Sequence, residues 1–236
     1  MCDTCGCGIP DQPSPSATEN NDVVKVMKGL LAENDRLAQH NRDHLNEHNV
    51  LAINLMSSPG SGKTALLEST IIKLKDRYRI AVIEGDLETE NDAQRIRAHG
   101  IEAVQINTGS ACHLDANMIH NALHKLDLNT VDLLFIENVG NLVCPASYDL
   151  GHHLNVVLLS VVEGDDKPAK YPVMFRAADL TLITKTDLLA VIDDFDSEHV
   201  RNAMQKLGRD IPIMALSAKT GNGMDKWLAL LEEKLT

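Results

Sequence analysis

Apolar residues along this chain follow two rhythms. Over residues 23–49 (VVKVMKGLLAENDRLAQHNRDHLNEHN), Val23, Val26, Met27, Leu30, Leu31, Leu37 and Ala38 recur at helical spacing among polar residues. That pattern predicts one amphipathic helix, with Asn21 or Asp22 as its N-cap. From residue 50 onward, short and nearly continuous apolar runs alternate with amphipathic stretches. The runs are VLAINLMS (50–57), RIAVIEGD (79–86), IEAVQIN (101–107), VDLLFIEN (131–138), LNVVLLSVVEG (154–164), ADLTLITKTD (178–187) and IPIMALSA (211–218). Runs of this length without polar alternation fit strands buried on both faces. Helical patterns at 63–77, 88–98, 115–126, 196–207 and 223–234 lie between most of them. The alternation predicts an α/β fold: a doubly wound, mostly parallel sheet flanked by helices. Upstream, DQPSPSATENND (11–22) is rich in proline, serine and acid, and reads as a flexible linker. The expected organisation is a cysteine-rich tail (1–10), this linker (11–22), a helix (23–49) packed on the main domain, and one large domain (50–236).

Composition narrows the class. At 236 residues and 44% hydrophobic, the chain has enough apolar surface for one sizeable core. No apolar run approaches the roughly 20 residues that span a bilayer, and the first residues lack the layout of a secretory signal. The expectation is a cytoplasmic protein without a membrane partner. A net charge of −12, from 34 acidic and 22 basic residues, argues against nucleic acid as a partner. Five cysteines in a reducing compartment suit metal binding or thiol chemistry better than disulfides.

The first strand runs into SSPGSGKT (57–64) and then a helix, the strand–loop–helix setting of a phosphate-binding loop. Pro59, Gly60, Ser61, Gly62, Lys63, Thr64 and Ala65 would wrap the phosphates. The glycines let backbone N–H groups turn inward, and the helix N-terminus adds its positive dipole end. Lys63 would reach the β- and γ-phosphates, while the Thr64 hydroxyl would ligate Mg²⁺. Ser57 stands where the usual first glycine would be. At other strand ends, Asp86 and Asp92 in EGDLETEND and Glu137 in FIENVG are placed to hold Mg²⁺ or its waters; Asp92 equally suits a helix N-cap. Gly140 of ENVG occupies the position of a γ-phosphate switch. In TKTD (184–187), Asp187 can accept two hydrogen bonds from guanine, the Lys185 stem can cover the base, and Thr184 replaces the asparagine usual in GTPases. SAK (Ser217, Ala218, Lys219) matches their second base-reading loop. No residue is evident that would orient the attacking water, which implies slow turnover.

Two further groups suggest a second metal. Cys112 and His113 follow one strand, and Cys144 lies seven residues beyond Glu137. Two thiolates and an imidazole suit Ni²⁺ or Zn²⁺, although free cysteines are also common as small buried hydrophobes. At the opening, MCDTCGCGIP places Cys2, Cys5 and Cys7 together. Loss of Met1 would add an α-amine, giving four donors on a flexible segment that Ni²⁺ accepts in a plane; Zn²⁺ would prefer tetrahedral sulfur. A redox-active or merely unpaired thiol cluster is the bland alternative. His40, His44 and His48, and likewise His120 and His124, recur every four residues and so share helix faces. Such spacing can bind a metal, but solvated helix faces also carry histidines; both sets are read as structural, with metal capture as the alternative.

Taken together, CDTCGCG, SSPGSGKT, EGDLETENDAQRI, CHLDA, ENVGNLVCP, EGDDKP, TKTD and SAKTG resemble the hydrogenase nickel-incorporation GTPases (HypB), a branch of the metallochaperone P-loop NTPases of SIMIBI type. The resemblance runs through nearly the whole chain. It implies Mg²⁺-dependent GTP hydrolysis by Lys63, Thr64 and Glu137, dimerisation favoured by GTP, and delivery of Ni²⁺ to the large subunit of a [NiFe] hydrogenase. A small zinc-containing nickel metallochaperone is implied as a partner, and Cys112, His113 and Cys144 as a Ni²⁺ or Zn²⁺ site at the dimer face. Lys167 and Lys170 of EGDDKPAK would then approach the nucleotide across the dimer. Many such proteins carry a histidine-rich tract after the tail; here only scattered histidines follow, which argues against bulk nickel storage. Two alternatives remain: service to another metalloenzyme such as urease, or a metal-storage scaffold with a vestigial nucleotide site.

Overall fold

The computed structural model describes residues 17–86 and 90–236, so Cys2, Cys5, Cys7 and most of the expected linker lie outside the described residues. The chain divides into residues 1–33 and 34–236. Helix α1 spans Ala17–Glu47 and thus begins within the stretch expected to be linker. Asn21 and Asp22 lie inside it rather than at its cap. The polar stretch ATENND (17–22) carries no apolar stripe from which a helix start could be read.

Seven strands follow: β1 (Leu51–Met56), β2 (Ile80–Asp86), β3 (Glu102–Asn107), β4 (Leu133–Glu137), β5 (Leu154–Ser160), β6 (Leu180–Thr184) and β7 (Ile213–Ala215). All pair in parallel, in the order β3-β2-β4-β1-β5-β6-β7. The connecting helices are α2 (Lys63–Leu74), α3 (Asn91–Arg97), α4 (Ala116–Leu123), the short α5 (Lys167–Lys170) and α6 (Pro172–Ala177), α7 (Ser197–Lys206) and α8 (Met224–Leu235). The sequence-predicted strands at 154–164, 178–187 and 211–218 are shorter than expected, because 3₁₀ turns at Val161–Glu163 and Thr186–Leu188 take over at two of their ends.

Alternation along each strand feeds two faces. Leu133 and Phe135 join Ile53, Val82 and Leu182 beneath α2 and α8, whereas Leu134 and Ile136 join Ile83 and Ala52 beneath α1 and α4. Beyond β5, Val157, Leu159 and Ile183 meet Met174, Phe175, Val200 and Met204. Burying each such side chain contributes about 1.5–3 kcal/mol. Trp227 is fully buried, and its indole N–H is satisfied by the Thr70 hydroxyl at 2.9 Å. From Asn34 onward α1 is fixed to the start of α4. Asn34 Oδ1 accepts from the Ala116 N–H (2.9 Å), and buried Asn41 donates to the Ala116 and Leu150 carbonyls (2.8 and 3.1 Å). Arg42 Nη2 donates to both carboxylate oxygens of Asp149 (2.8 and 2.7 Å), which adds to this clamp.

Candidate functional site

Because every strand is parallel, their carboxyl ends share one edge, and the loops there build the site. Ser57 leaves β1 fully buried and donates its hydroxyl to the Ser58 carbonyl (2.7 Å), keeping a turn without the usual glycine. Gly60 (φ +76°) and Gly62 (φ +98°) adopt left-handed backbone that favours glycine. Among the described residues no side chain caps the N-terminus of α2, which leaves its first N–H groups for an anion. Buried Lys63 points its ammonium at Ser57 Oγ (3.2 Å). The Ser61 hydroxyl donates to Glu163, a contact not anticipated from the sequence.

Thr64 donates to Glu137 Oε1 (2.9 Å). Glu137 faces Glu84 across the β2–β4 register, and Glu84, Asp92 and Glu137 bring carboxylate oxygens within 4.8 Å of one another. Glu84 was not expected as a site residue. The visible signal was an acid inside the apolar run AVIEG, since a carboxylate in a buried strand needs a partner. Burial, together with the neighbouring Glu137, pushes the Glu84 carboxyl up to about 11; burial likewise raises Glu137, opposed by Lys63. Among the described residues, one oxygen of each glutamate has no hydrogen-bond partner. Two crowded carboxyls with idle oxygens beside a hydroxyl fit a divalent cation, which would replace the proton they share. Asp92 lies in the first turn of α3 and also pairs with Arg95 (3.0 Å). Asp86 stands at the end of β2 outside this tight trio, yet it lines the same cleft.

That cleft has a volume of about 440 Å³ and is bounded by Pro59, Gly60, Gly62, Lys63, Thr64, Ala65, Gly140 and Lys185 together with the acids. It adjoins a smaller, more apolar recess of about 220 Å³ that contains Ser61, Thr184, Asp187, Ser217, Ala218 and Lys219, with Leu66, Leu188 and Leu216. Gly62, Ala65 and Lys185 line both. Thr184 donates to the Ser61 carbonyl (2.7 Å), tying the two loops together, and Lys185 donates to the Gly60 carbonyl (2.6 Å) from a left-handed backbone. Asp187 accepts from the Ser217 hydroxyl (2.6 Å), which fixes the carboxylate at the mouth of the recess. Lys167 and Lys170 both pair with Asp166. A larger groove of about 570 Å³, lined by Arg42, Asp149 and His152 among others, contains none of the phosphate-loop residues.

Cys112 and His113 sit in the β3–α4 loop and Cys144 opens a 3₁₀ turn after β4. Their ligand atoms lie within 4.8 Å of one another. The two sulfurs are 3.0 Å apart, and both cysteines are half-buried rather than packed in the core. The adjacent Cys112 thiol raises that of Cys144, while burial lowers His113 and favours its neutral form. His113 stacks on Tyr148 with ring centroids 3.9 Å apart.

One short loop touches both places. Gly140 packs on the Pro59 backbone so closely that a Cβ would meet it at 2.9 Å. The Asn141 N–H donates to the Ser57 carbonyl (2.8 Å), and its side chain donates to the Cys112 carbonyl (3.3 Å). Cys144 follows three residues later. Asn138, buried, anchors the loop by accepting from Leu114 N–H (3.2 Å) and donating to Asn54 (3.2 Å).

The fold and the phosphate loop together define a P-loop nucleotide-binding protein. The family model described as the CobW/HypB/UreG nucleotide-binding domain matches residues 51–215. The hydrogenase maturation factor HypB of Azotobacter vinelandii is 52% identical over 212 residues, covering 90% of this chain and 70% of that protein. A Helicobacter hepaticus protein described as a hydrogenase/urease maturation factor is 46% identical over 219 residues, covering 91% and 89%. Among solved structures, HypB from Helicobacter pylori in complex with nickel superposes with a TM-score of 0.82 at 45% identity, covering 86% of this chain and 95% of that one. HypB from Archaeoglobus fulgidus gives 0.81 at 42% identity, covering 87% and 100%. FtsY from Mycoplasma mycoides, at 16% identity and a TM-score of 0.52, shares the fold alone. This chain belongs to the HypB family of hydrogenase maturation factors.

Proposed function

We propose that this protein is a GTPase that carries Ni²⁺ and couples Mg²⁺-dependent GTP hydrolysis to nickel insertion into the large subunit of a [NiFe] hydrogenase. The loop 138–144 carries the reading, because it contacts the phosphate loop at one end and supplies a thiol at the other. In this reading the α2 N-terminus and Lys63 hold the phosphates, and Thr64 and Glu137, with Glu84, Asp86 and Asp92, position Mg²⁺. Asp187 selects guanine, with Thr184, Lys185, Ser217, Ala218 and Lys219 framing the base. Gly140 reports the γ-phosphate. Cys112, His113 and Cys144 form the Ni²⁺ or Zn²⁺ site, which a second copy of the chain completes when GTP favours the dimer. Cys2, Cys5 and Cys7 form the tail site for Ni²⁺, and a small zinc-containing metallochaperone exchanges metal with the protein. The urease alternative keeps the same chemistry and changes only the recipient; the dual name of the Helicobacter hepaticus relative is what favours retaining it. The test is a nickel titration of the full-length chain with GDP and with a non-hydrolysable GTP analogue. The two nucleotides are expected to give nickel affinities differing by about 5–150-fold, the usual range of coupling between sites. Identical affinities would leave a nucleotide switch and a metal site that do not communicate.

A further inference from the structure

Helices α1 and α4 bring together two histidine faces that the sequence shows only separately. The imidazoles of His40 and His120 have centroids 5.3 Å apart, those of His44 and His124 are 5.9 Å apart, and those of His120 and His124 are 4.5 Å apart and perpendicular. His48 adjoins His44 at 5.0 Å. Five imidazoles thus share one surface, with no cysteine and no phosphate-loop residue among them.

The atoms that meet are ligand atoms. His120 Nε2 and His124 Nε2 are 3.1 Å apart. Two nitrogens bound to one ion at about 2.0–2.1 Å, with angles between square and tetrahedral, lie about 2.9–3.4 Å apart. The pair therefore already has the bite of a bis-imidazole chelate. The tautomers agree. Nδ1 of His120 bonds to Asn41 Oδ1 (3.2 Å) and Nδ1 of His48 to the His44 carbonyl (2.9 Å). His120 Nδ1 therefore carries the proton, and its Nε2 keeps the lone pair that faces His124 Nε2; His48 is fixed in the same way but lies outside the pair. Hydrogen bonds of this kind orient metal-binding histidines. Asn41 is itself locked, fully buried, by the Ala116 and Leu150 carbonyls. His44 and His40 stand within a side-chain rotation of the pair and supply further nitrogens.

We propose that the α1–α4 histidine array is a nitrogen-only site for a borderline divalent cation of the Ni²⁺ or Zn²⁺ type, with His120 and His124 as the primary ligands and His44 and His40 completing the shell. Imidazole sets without thiolate select this class of ion. The site uses no residue of the nucleotide cleft or the thiol cluster, so it stands whether or not the function proposed above holds.

The test uses the full-length chain dialysed against NiSO₄ in the presence of a weak competing chelator. The double variant His120→Gln/His124→Gln is expected to lose about one equivalent of Ni²⁺ while keeping the near-ultraviolet thiolate-to-nickel absorption and the nucleotide hydrolysis rate. His44→Gln/His124→Gln, which leaves the His120–Asn41 bond untouched, serves as the second variant and is expected to weaken that equivalent about tenfold or more. In the unaltered chain, adding Zn²⁺ beyond saturation of the thiols is expected to shift the ring-nitrogen resonances of His120 and His124. Unchanged metal stoichiometry in a folded variant, or ring-nitrogen signals that ignore Zn²⁺, would reduce the cluster to a hydrogen-bonded pair of neutral imidazoles with neighbours.

Discussion

Glu84 and Glu137 stand side by side on β2 and β4, and buried carboxyls so placed cannot both ionise without a counter-charge. Lys63 supplies part of it; a divalent cation would supply the rest. Replacing Glu84 by Gln keeps the shape and hydrogen-bonding capacity and removes one of the charges that the cation needs. Glu84→Gln is expected to raise the Mg²⁺ concentration needed for half-maximal nucleotide hydrolysis about 10–100-fold, while the metal-free protein is no less stable than wild type at pH 8. A Mg²⁺ titration of hydrolysis, paired with thermal unfolding in EDTA, reads both. An unchanged Mg²⁺ midpoint would remove Glu84 from the metal site. This residue also marks the limit of sequence reading at this scale. GKT and TKTD declare their chemistry within a few adjacent positions, whereas the pairing of Glu84 with a glutamate 53 positions away exists only once the strands are ordered in a sheet.

The segment after β4 behaves as a mechanical element rather than a string of contacts. Buried Asn138 holds its base, Gly140 rests on Pro59, and Asn141 spans from the phosphate loop to the Cys112 carbonyl. The Asn141 side chain also accepts from the Val143 N–H (2.8 Å), shaping the turn that delivers Cys144. Asn141→Ala leaves the backbone bond to Ser57 in place and cuts the two side-chain links, at a cost of about 0.5–1.5 kcal/mol each. The difference in nickel affinity between the GDP and GTP-analogue states is expected to shrink to about twofold or less, with the nucleotide affinities themselves unchanged. Parallel nickel titrations of variant and wild type read it, and full retention of the difference would mean the coupling runs elsewhere. The succession of strands and helices along the chain was legible here from apolar runs alone, whereas their order across the sheet was not. The start of α1 was not, since ATENND carries no apolar stripe. The histidine faces were visible as a four-residue spacing, but their meeting depends on Asn34 and Asn41 docking α1 against α4, a tertiary fact.

Across residues 34–236 the titrating groups pull stability in opposite directions on either side of neutrality. His44, His113, His120, His152 and His153 are all held below the usual imidazole value of 6.5, mainly by burial, with His152 lowered to about 4. Folded, they bind fewer protons than the unfolded chain, so stability rises with pH up to about 6.5 and is lost below it. Asp132 and Asp149, held below the usual carboxylate range, add stability that also disappears in acid. Glu84 runs the other way. The unfolded carboxyl releases its proton near 4.5, while the folded one keeps it up to about 11, so stability falls as pH rises through that window. Below 6.5 several histidines oppose the carboxyl pair; above 6.5 the pair sets the slope, joined near pH 9 by the raised Cys144 thiol. Metal-free protein is therefore expected to be most stable near pH 6.5 and to lose up to ~1.4 kcal/mol per pH unit beyond it, or about 3–5 °C in Tm for a chain of this size. Mg²⁺ bound at the proposed site would replace the shared proton, so a millimolar excess should flatten the alkaline limb and leave the acid limb unchanged. Thermal unfolding from pH 5 to 9 in EDTA and in MgCl₂ separates the two limbs. An alkaline limb already flat in EDTA would mean that Glu84 and Glu137 do not share a proton, and that the metal site lacks the electrostatic tension which makes it selective for a divalent ion.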